Sequence, residues 1–440
     1  MARLTRLLAV LAVAAAPVLA LGCGGDDDDS GGGGGGGGSN GKPVEIKFWH
    51  GQTQGPAKLL QQMIDDFNKS HPGIVVSKDA GGVNADRMLQ KVTAGLQADN
   101  YPDIAYIFGS DLANLAGTDK LLDLSDAVDK GDIDWDNFES AAQSAATVDG
   151  KPRAVPAFID NLALVYNKKI FDDAGVDYPT DDWTWDDFLS TAAKLNDEDA
   201  GIAGFAWPGT GDEDTTWRIW PLVWQSGGDI VNEDGDAVAF DGKSGEAALG
   251  VVAKAASDGS VYIDGTAGSE RMQQLFASGK MAMTIAGPYS LPEYVDGKID
   301  YGVASLPSFG GEHTTIAGPD TWAIFDNGDE RAKAAITFMD WFSKPEQQLR
   351  WIREAGSLPL TKDVSEAEDY DAYTKSLPGL DKFIQNTELA RTRPTIKQYP
   401  QISQAMGKAV AAVLYGKEDP SAALGKAVDT ANSELNVPGG

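Results

Sequence analysis

The sequence predicts an α/β protein with two lobes, and three observations support this prediction. The chain has 440 residues, which is too long for one ordinary domain and long enough for two hydrophobic cores. Between Val44 and Phe108, strand-like and helix-like patterns alternate, which is typical of a parallel sheet covered by helices. Residues 162–166 are apolar and follow prolines that exclude a helix, so the stretch from Ala154 to Phe171 is interpreted as a bridge into a second lobe.

The first block of the chain has a separate signal for each element. Residues 44–49 alternate as in a half-buried strand, and apolar residues between 59 and 67 recur at helical spacing after Pro56. Strands are predicted at 74–76 and 104–108, with a helix at 87–96 between them. Ligands bind beyond the carboxyl ends of parallel strands, so this block predicts the following ligand-binding residues: His50, Gln52, Thr53, Gln54, Ser110 and Asp111.

The bridge contains a polar pair, Asp160 and Asn161, where the chain would pass between the lobes. We predict that both residues line a ligand cleft, with hydrogen bonds that stabilise a hinge as the alternative. Further along, Thr184 and Asp187 predict a helix with a capping box.

Several tryptophans follow this helix. Trp207 is predicted in a glycine-rich loop, while Trp217, Trp220 and Trp224 share one helical face. Flat rings beside carboxylates and amides suit sugars, because the rings stack on sugar C–H faces and the polar groups pair with hydroxyls. We therefore predict that Trp207 and Trp220 contact a ligand, although burial in the core is the alternative for all of these rings.

Composition excludes some functions. The 66 acidic residues outnumber 36 basic ones, giving a formal charge of −30, which repels nucleic acid. The three histidines are scattered without a metal-ligand pattern, and a nucleophile motif and a complete phosphate loop are absent from the sequence. We expect neither enzyme activity nor a cofactor nor a metal. A glycoside hydrolase remains an alternative, because so many acids supply accidental carboxylate pairs.

The N-terminus carries an export signal. Arg3 and Arg6 precede an apolar run that ends before Cys23, the only cysteine of the chain, so residues 1–22 are predicted to be a signal peptide. The segment around Cys23 resembles the lipobox of bacterial lipoproteins, except that an alanine replaces the usual leucine. Residues 23–42 are rich in aspartate and glycine and predict a flexible tether. We expect an exported protein that a lipid at Cys23 anchors to the outer face of the membrane.

Four segments in this order resemble the extracellular solute-binding proteins of ABC importers, the group that includes maltose-binding and glycerol-3-phosphate-binding proteins. The segments are residues 156–175, the Trp-Thr-Trp-Asp-Asp-Phe signal at 183–188, residues 276–289 and residues 416–424. The resemblance covers the chain from about Val44 to Leu435. It implies a type II periplasmic-binding-protein-like fold, in which hinge motion between two α/β lobes encloses the ligand.

The resemblance also implies lobe boundaries and further site residues. The N-lobe would comprise residues 43–156 and 310–360, and the C-lobe residues 157–309 and 361–436. Tyr289 occupies the position of a sugar-stacking tryptophan, Asp320 and Trp322 match a loop that turns toward the cleft, and Arg393 matches an arginine that clamps ligand oxygens. An ordinary ion pair is the alternative for Arg393.

The predicted function is capture of a carbohydrate, a disaccharide or oligosaccharide, and its delivery to the permease subunits of an ABC transporter. We expect the protein to act as a monomer. The alternative within the family is a glycerol-3-phosphate or glycerophosphodiester ligand.

Overall fold

The structure is a computed structural model that describes residues 42–77 and 79–436. The predicted signal peptide, the lipidation site Cys23 and the tether up to residue 41 lie outside the described residues. Within the described part of the chain, no helix combines the length and the apolar character needed to cross a bilayer.

The strands are short and are distributed along the whole chain. In chain order they are β1 Val44–Ile46, β2 Phe48–Trp49, β3 Ile74–Val76, β4 Ile104–Phe108, β5 Thr147–Val148, β6 Lys151–Pro152, β7 Ala154–Phe158, β8 Ala163–Asn167, β9 Phe205–Pro208, β10 Val261–Asp264, β11 Met283–Ala286, β12 Tyr301–Ala304, β13 Thr315–Ala317, β14 Asp320–Ile324 and β15 Ala390–Thr392.

Helices connect and cover these strands. They are α1 Gln54–Ser70, α2 Met88–Gln97, α3 Leu112–Leu115, α4 Ser125–Asp129, α5 Ser140–Ala145, α6 Lys168–Ala174, α7 Trp185–Leu195, α8 Glu213–Gln225, α9 Lys243–Ser257, α10 Glu270–Ala277, α11 Leu291–Asp296, α12 Asp329–Phe342, α13 Pro345–Trp351, α14 Lys362–Ser365, α15 Tyr370–Thr374, α16 Leu380–Asn386, α17 Tyr399–Leu414 and α18 Pro420–Leu435. The predicted capping box of Thr184 and Asp187 opens α7 and is confirmed, and Asp419 caps α18 through the Ala422 N–H.

The largest sheet has four strands in the order β2, β4, β14, β7. Strand β2 runs parallel to β4, whereas β14 is antiparallel to both of its neighbours. The sheet is therefore mixed rather than purely parallel, because β14 enters it from the opposite end after the chain returns from the second sheet. The carboxyl ends of β2, β4 and β7 and the amino end of β14 consequently meet at one edge.

A second sheet has the order β11, β8, β12, with β8 antiparallel to both neighbours. Residues 159–162 lead directly from β7 in the first sheet to β8 in the second. The Gly318 N–H donates to the Asp160 carbonyl at 2.9 Å, and the Leu358 N–H donates to the Ile159 carbonyl at 3.0 Å. Three connecting segments thus lie side by side between the two sheets.

Buried aromatic and aliphatic side chains form a core beside each sheet. Trp322 of β14 is fully buried among Phe48, Phe158 and Phe342, with ring centroids 4.9–5.9 Å apart. The second core includes the apolar face of α17, beginning at Ile402, which packs against α8, α9 and α18. One buried cluster joins residues of both sheets, including Ala157 of β7 and Val165 of β8, so the elements around the cavity are tightly packed.

Candidate functional site

A cavity of about 460 Å³ lies at the strand edge of the first sheet. One wall comes from the loop before α1, the turn around Ala85, the ends of β4 and β7, and residues 351–357. The other wall comes from the start of α8, the start of α10, and Tyr289 with α11. The volume is within the usual range for small-molecule sites, so the space suits a ligand of roughly sugar size.

The cavity lining is strongly acidic. Nine carboxylate side chains line it, while Arg393 is the one basic side chain among the described lining residues; the acids are Asp86, Asp160, Glu213, Asp214, Glu270, Glu293, Asp296, Asp320 and Glu354. Carboxylates accept hydrogen bonds from hydroxyl or ammonium groups and repel anions. The lining therefore favours a ligand rich in donors.

Arg393 is held in place before any ligand arrives. Its Nη1 donates to Glu213 Oε1 at 2.8 Å, and its guanidinium lies 4.6 Å from the Trp217 ring centroid and 5.4 Å from that of Phe108. The Arg393 side chain is only 4% exposed. Arg393 therefore makes the ion pair of the alternative interpretation and also lines the cavity, while its contact with a ligand stays a prediction.

Glu213 is the acceptor of a larger network at the start of α8. The Tyr399 hydroxyl donates to it at 2.7 Å, and the Ser403 hydroxyl donates at 2.5 Å. Both donors belong to α17, so the network links α8 to α17 behind the cavity wall. Hydrogen bonds among the side chains of Arg393, Glu213, Tyr399 and Ser403 therefore hold this part of the cavity wall in a fixed geometry.

Asp160 and Asp320 approach each other where the connecting segments cross. The Tyr106 hydroxyl donates to Asp320 Oδ2, whereas Asp320 Oδ1 is buried without a hydrogen-bond partner. Burial raises the pKa of Asp320 to about 7, although the positive charge of Arg393 opposes this shift. Burial, followed by repulsion from Asp320, raises the pKa of Asp160 well above its usual range.

The aromatic rings at the cavity differ in how much face they leave free. Trp351 stacks on Phe158 at 4.3 Å and is almost fully buried, and Trp217 is 8% exposed with Arg393 over its ring. Tyr289 and Phe108 are half-buried. These two rings are therefore the aromatic surfaces that a ligand can reach most readily.

Seven of the residues predicted from sequence line this cavity. They come from the loop before α1, the crossing segments, the turn after β11 and the segment after β15: Gln52, Thr53, Gln54, Asp160, Tyr289, Asp320 and Arg393. More than 300 residues of sequence separate some of these residues, such as Gln52 and Arg393, so the fold brings together positions that are far apart in the chain.

His50 lies behind the cavity rather than in its lining. Its Nδ1 accepts from the Gln52 N–H at 3.1 Å and its Nε2 is 3.3 Å from the Gln61 amide nitrogen. The side chain is buried, and burial lowers the pKa of His50 to about 4, with the charge of Asp79 opposing the shift. Neutral His50 therefore shapes the loop that carries Gln52.

Three other predicted residues also lie outside the cavity lining. The Asn161 amide donates to the Phe383 carbonyl at 2.8 Å, which fastens the crossing segment to α16 and matches the hinge-stabilising alternative. Ser110 lines a separate hollow, and its buried hydroxyl has no hydrogen-bond partner among the described residues. Burial, and then the charge of Glu213, raises the pKa of half-buried Asp111 to about 7.

Three predicted tryptophans lie in the cores instead of the cavity. Trp207 is in β9 rather than in a loop, so the predicted loop position is wrong, and its side chain is fully buried. Trp220 is also fully buried and donates to the Tyr399 hydroxyl at 3.1 Å, and Trp322 occupies the aromatic core of β14. These positions are set by the side chains that pack against each tryptophan from other strands and helices. Those packing partners are not adjacent to the tryptophan in sequence.

The prediction missed several lining residues. Asp86 lies in a short 3-10 turn, Ala85–Arg87, for which the sequence has no distinctive signal. Burial and then the charge of Asp214 raise the pKa of Asp86 to about 8. Trp217 shares the aromatic face of α8 with Trp220, and its position five residues after the N-cap Asp212, about one and a half helical turns, could have indicated that it lies nearer the cleft.

A second hollow of about 920 Å³ lies beyond Pro319 and Arg393. It is more open than the cavity, and none of its described lining side chains is aromatic. In the part of the chain that the structure describes, no cluster of histidine, cysteine, aspartate and glutamate side chains is arranged to hold a metal ion.

Comparison with known proteins identifies the family to which the chain belongs. Residues 50–349, more than half of the chain, match the family model described as bacterial extracellular solute-binding protein. The chain is 25% identical over 418 residues to the sn-glycerol-3-phosphate-binding periplasmic protein UgpB of Brucella abortus, which covers 89% of this chain and 93% of that protein.

Solved structures share the fold over most of the chain. The cyclic α-maltosyl-1,6-maltose binding protein of Arthrobacter globiformis is 28% identical, with a TM-score of 0.71 over 89% of this chain and 99% of that chain. An ABC substrate-binding protein of Listeria monocytogenes in complex with cycloalternan is 24% identical, with a TM-score of 0.79 over 90% of this chain and 100% of that one.

UgpB of Mycobacterium tuberculosis in complex with glycerophosphocholine is 18% identical, with a TM-score of 0.78 over 90% of this chain and 98% of that one. Proteins of this kind bind a solute outside the cytoplasm and do not transform it. The family match leads to one conclusion: the chain belongs to the bacterial extracellular solute-binding proteins and is the solute-binding component of an ABC transporter, not an enzyme.

Proposed function

We propose that the protein captures a carbohydrate in the 460 Å³ cavity and delivers it to a membrane permease. The observation that carries this proposal is the cavity lining, in which many carboxylate acceptors stand beside reachable aromatic rings. Sugar hydroxyls donate to carboxylates, and the apolar faces of sugar rings stack on side chains such as Tyr289 and Phe108.

In this proposal the seven predicted residues of the lining contact the ligand. Gln52, Thr53 and Gln54 provide polar groups from the N-lobe side, and Tyr289 provides a stacking face from the C-lobe side. The lobes would comprise residues 43–156 with 310–360, and residues 157–309 with 361–436. Closure would bring the two sides together around the sugar.

A glycerophosphodiester is the second candidate, because the curated relatives include glycerol-3-phosphate-binding proteins at 25% identity. The charges of the cavity weigh against it. A phosphate group needs cationic or N–H donors, yet Arg393 already donates to Glu213 and eight further carboxylates line the space. The carbohydrate therefore remains the proposal that the lining supports better.

We further propose that the mature protein is a monomer tethered through a lipid on Cys23, with residues 23–42 as the spacer. Metabolic labelling with a fatty-acid analogue tests the anchor: wild type should incorporate label, and Cys23→Ser should not. Label on the serine variant would place the modification elsewhere.

A thermal-shift panel tests the ligand class. The panel contains glucose, maltose, trehalose and maltotriose, with glycerol 3-phosphate and glycerophosphocholine as the competing class. A ligand that binds the native state at 100 times its Kd stabilises it by about 2.7 kcal/mol, which produces a measurable rise in Tm. If only the phosphate-bearing compounds raise the Tm, the carbohydrate proposal is wrong.

A further inference from the structure

Two acidic side chains at the base of the cavity, Asp160 and Asp320, have acceptor oxygens that receive no hydrogen bond from the described residues. Asp320 is 7% exposed, its Oδ2 accepts from the Tyr106 hydroxyl, and its Oδ1 has no partner. Among the described residues, no hydrogen bond reaches the Asp160 carboxyl group. Asp320 Oδ1 is a buried acceptor without a donor among the described residues, which is costly, and half-buried Asp160 lines the cavity, so this corner can accept hydrogen bonds from a group that the protein itself does not provide.

The protein also leaves the charge of this corner uncompensated. Arg393 is the one basic side chain of the described lining, and Glu213 already occupies its guanidinium at 2.8 Å. Asp160 and Asp320 therefore lie near one cation, Arg393, which is already paired with a third carboxylate, that of Glu213. Like charges at close range in a partly desolvated site repel each other and favour a bound cation.

The backbone brings the two carboxyl groups together. The Gly318 N–H donates to the Asp160 carbonyl, and β14 begins two residues later at Asp320. A Cβ added to residue 318 would lie 2.8 Å from Asp160 Oδ1 and 2.6 Å from Trp217 Cη2. Glycine at position 318 therefore lets the Asp160 carboxyl group and the Trp217 ring pack directly against the backbone at the cavity, where a larger side chain would displace them.

We propose that the part of the cavity beside Asp160 and Asp320 is an ammonium subsite, and that the protein prefers a carbohydrate bearing a primary amine over its neutral counterpart. The inference rests on the proposed function, since it specifies the class of sugar. An ammonium group has three donors that can bind the Asp160 carboxylate, and its positive charge offsets the charge of Asp320 beside it. A neutral hydroxyl has one donor and supplies no positive charge.

The charge state of the pair is consistent with this role. Burial raises the pKa of Asp320 to about 7, and burial with repulsion from Asp320 raises the pKa of Asp160. A cation between them offsets both effects, because it stabilises the ionised form of each carboxyl group. A phosphate or carboxylate ligand would add to the repulsion instead.

Isothermal titration calorimetry with matched sugar pairs tests the proposal on the whole chain. The pairs are glucose with glucosamine, galactose with galactosamine, mannose with mannosamine, and cellobiose with the β-1,4-linked disaccharide of glucosamine. In a pair that binds, the amine should bind at least about tenfold more tightly, as expected for charge-assisted hydrogen bonds. The N-acetyl derivative, which lacks the positive charge, should lose that advantage.

Three variants identify the residues responsible. Asp320→Asn and Asp160→Asn should each shrink the ratio of amine to neutral affinity to within about threefold, since they remove one ionisable partner. Asp173→Asn is the control, because it changes the net charge equally at an exposed position, 2.7 Å from Lys169 and outside the cavity lining. It should leave the ratio as in wild type.

The outcomes separate this inference from the proposed function. If neutral sugars bind as tightly as their amines in every pair that binds, the ammonium subsite is refuted and the carbohydrate function stands. If no sugar of either kind binds while glycerophosphocholine does, both are refuted. A preference that persists unchanged in Asp320→Asn and Asp160→Asn also refutes the subsite.

Discussion

Arg393 offers a test of the cavity wall in which a neighbouring arginine serves as the control. The side chains of Arg393 and Glu213 are 4% and 16% exposed and lie 2.8 Å apart. Arg391 pairs with Asp229 at the surface, where both side chains are more than 40% exposed. We predict that Arg393→Met destabilises the protein far more than Arg391→Met does.

The magnitude follows from what each change leaves behind. Arg393→Met leaves the Glu213 carboxylate with hydroxyl donors from Tyr399 and Ser403 but without a counter-charge. Breaking a buried ion pair costs about 3–5 kcal/mol, and the two remaining donors favour the lower end, about 3 kcal/mol. An exposed pair such as that of Arg391 contributes about 0–1 kcal/mol.

Thermal unfolding of the purified, ligand-free protein measures the difference. For domains of about 150–250 residues, 1 kcal/mol corresponds to about 2–4 °C, so we expect the Tm of Arg393→Met to fall by about 6–12 °C. By the same conversion the Tm of Arg391→Met should fall by at most about 4 °C. Equal losses in the two variants would refute the view that burial distinguishes these arginines.

Three further predictions follow from other parts of the structure. Trp207→Ala should lower stability by about 3–5 kcal/mol because it empties a buried position, whereas Tyr289→Ala should weaken sugar binding about tenfold through a lost stacking face. Gly318→Ala should weaken binding too, because its Cβ would lie 2.6 Å from Trp217 Cη2. Asp86→Asn should raise the Tm of the ligand-free protein at pH 9 and raise it by much less at pH 5.

The sign of the Asp86 effect follows from its raised pKa. The folded protein keeps the Asp86 proton up to about pH 8, above the ordinary value of 3.8, so the stability that this proton confers is full below about pH 4 and is lost as the pH rises through 8. Asparagine mimics the protonated form and removes that loss. Identical pH profiles for wild type and variant would contradict this reasoning.

Each of the other two predictions has its own control. For Trp207→Ala and Tyr289→Ala, calorimetry measures sugar binding and thermal unfolding measures stability. Trp207→Ala should mainly lose stability, whereas Tyr289→Ala should mainly lose sugar affinity. A Trp207→Ala protein that melts like wild type would contradict the assigned burial. Gly311→Ala, at a glycine where an added Cβ would meet open space, is the control for Gly318→Ala. Undiminished sugar affinity in Gly318→Ala would contradict the predicted obstruction.

Much of the candidate site could be anticipated from the order of elements. Gln52 and its neighbours follow the first buried strand, and the rule that ligands bind beyond strand ends locates them at the cavity without any knowledge of the rest of the chain. Asp160 was identified by a polar interruption of an apolar run. These signals are local, so periodicity and composition alone reveal them.

The tryptophans show why other assignments needed the fold. Trp207, Trp217 and Trp220 have equally suitable chemistry for stacking, but only Trp217 lines the cavity. Which ring faces the cavity depends on packing partners far away in sequence, such as Tyr399, whose hydroxyl accepts from the Trp220 ring N–H. Residue type therefore could not distinguish a buried ring from a ligand-facing one.

By itself, the sequence determined the α/β class, the helix caps and the crossing near Asp160, because each depends on spacing over a few residues. Only the tertiary structure decided the charge balance of the cavity. In the folded protein Asp160 and Asp320, which are 160 residues apart in sequence, line the same cavity, and Arg393, the arginine of the described lining, is paired with Glu213. The physical reason is that electrostatic interactions depend on distance and burial in space, which the linear order of residues does not specify.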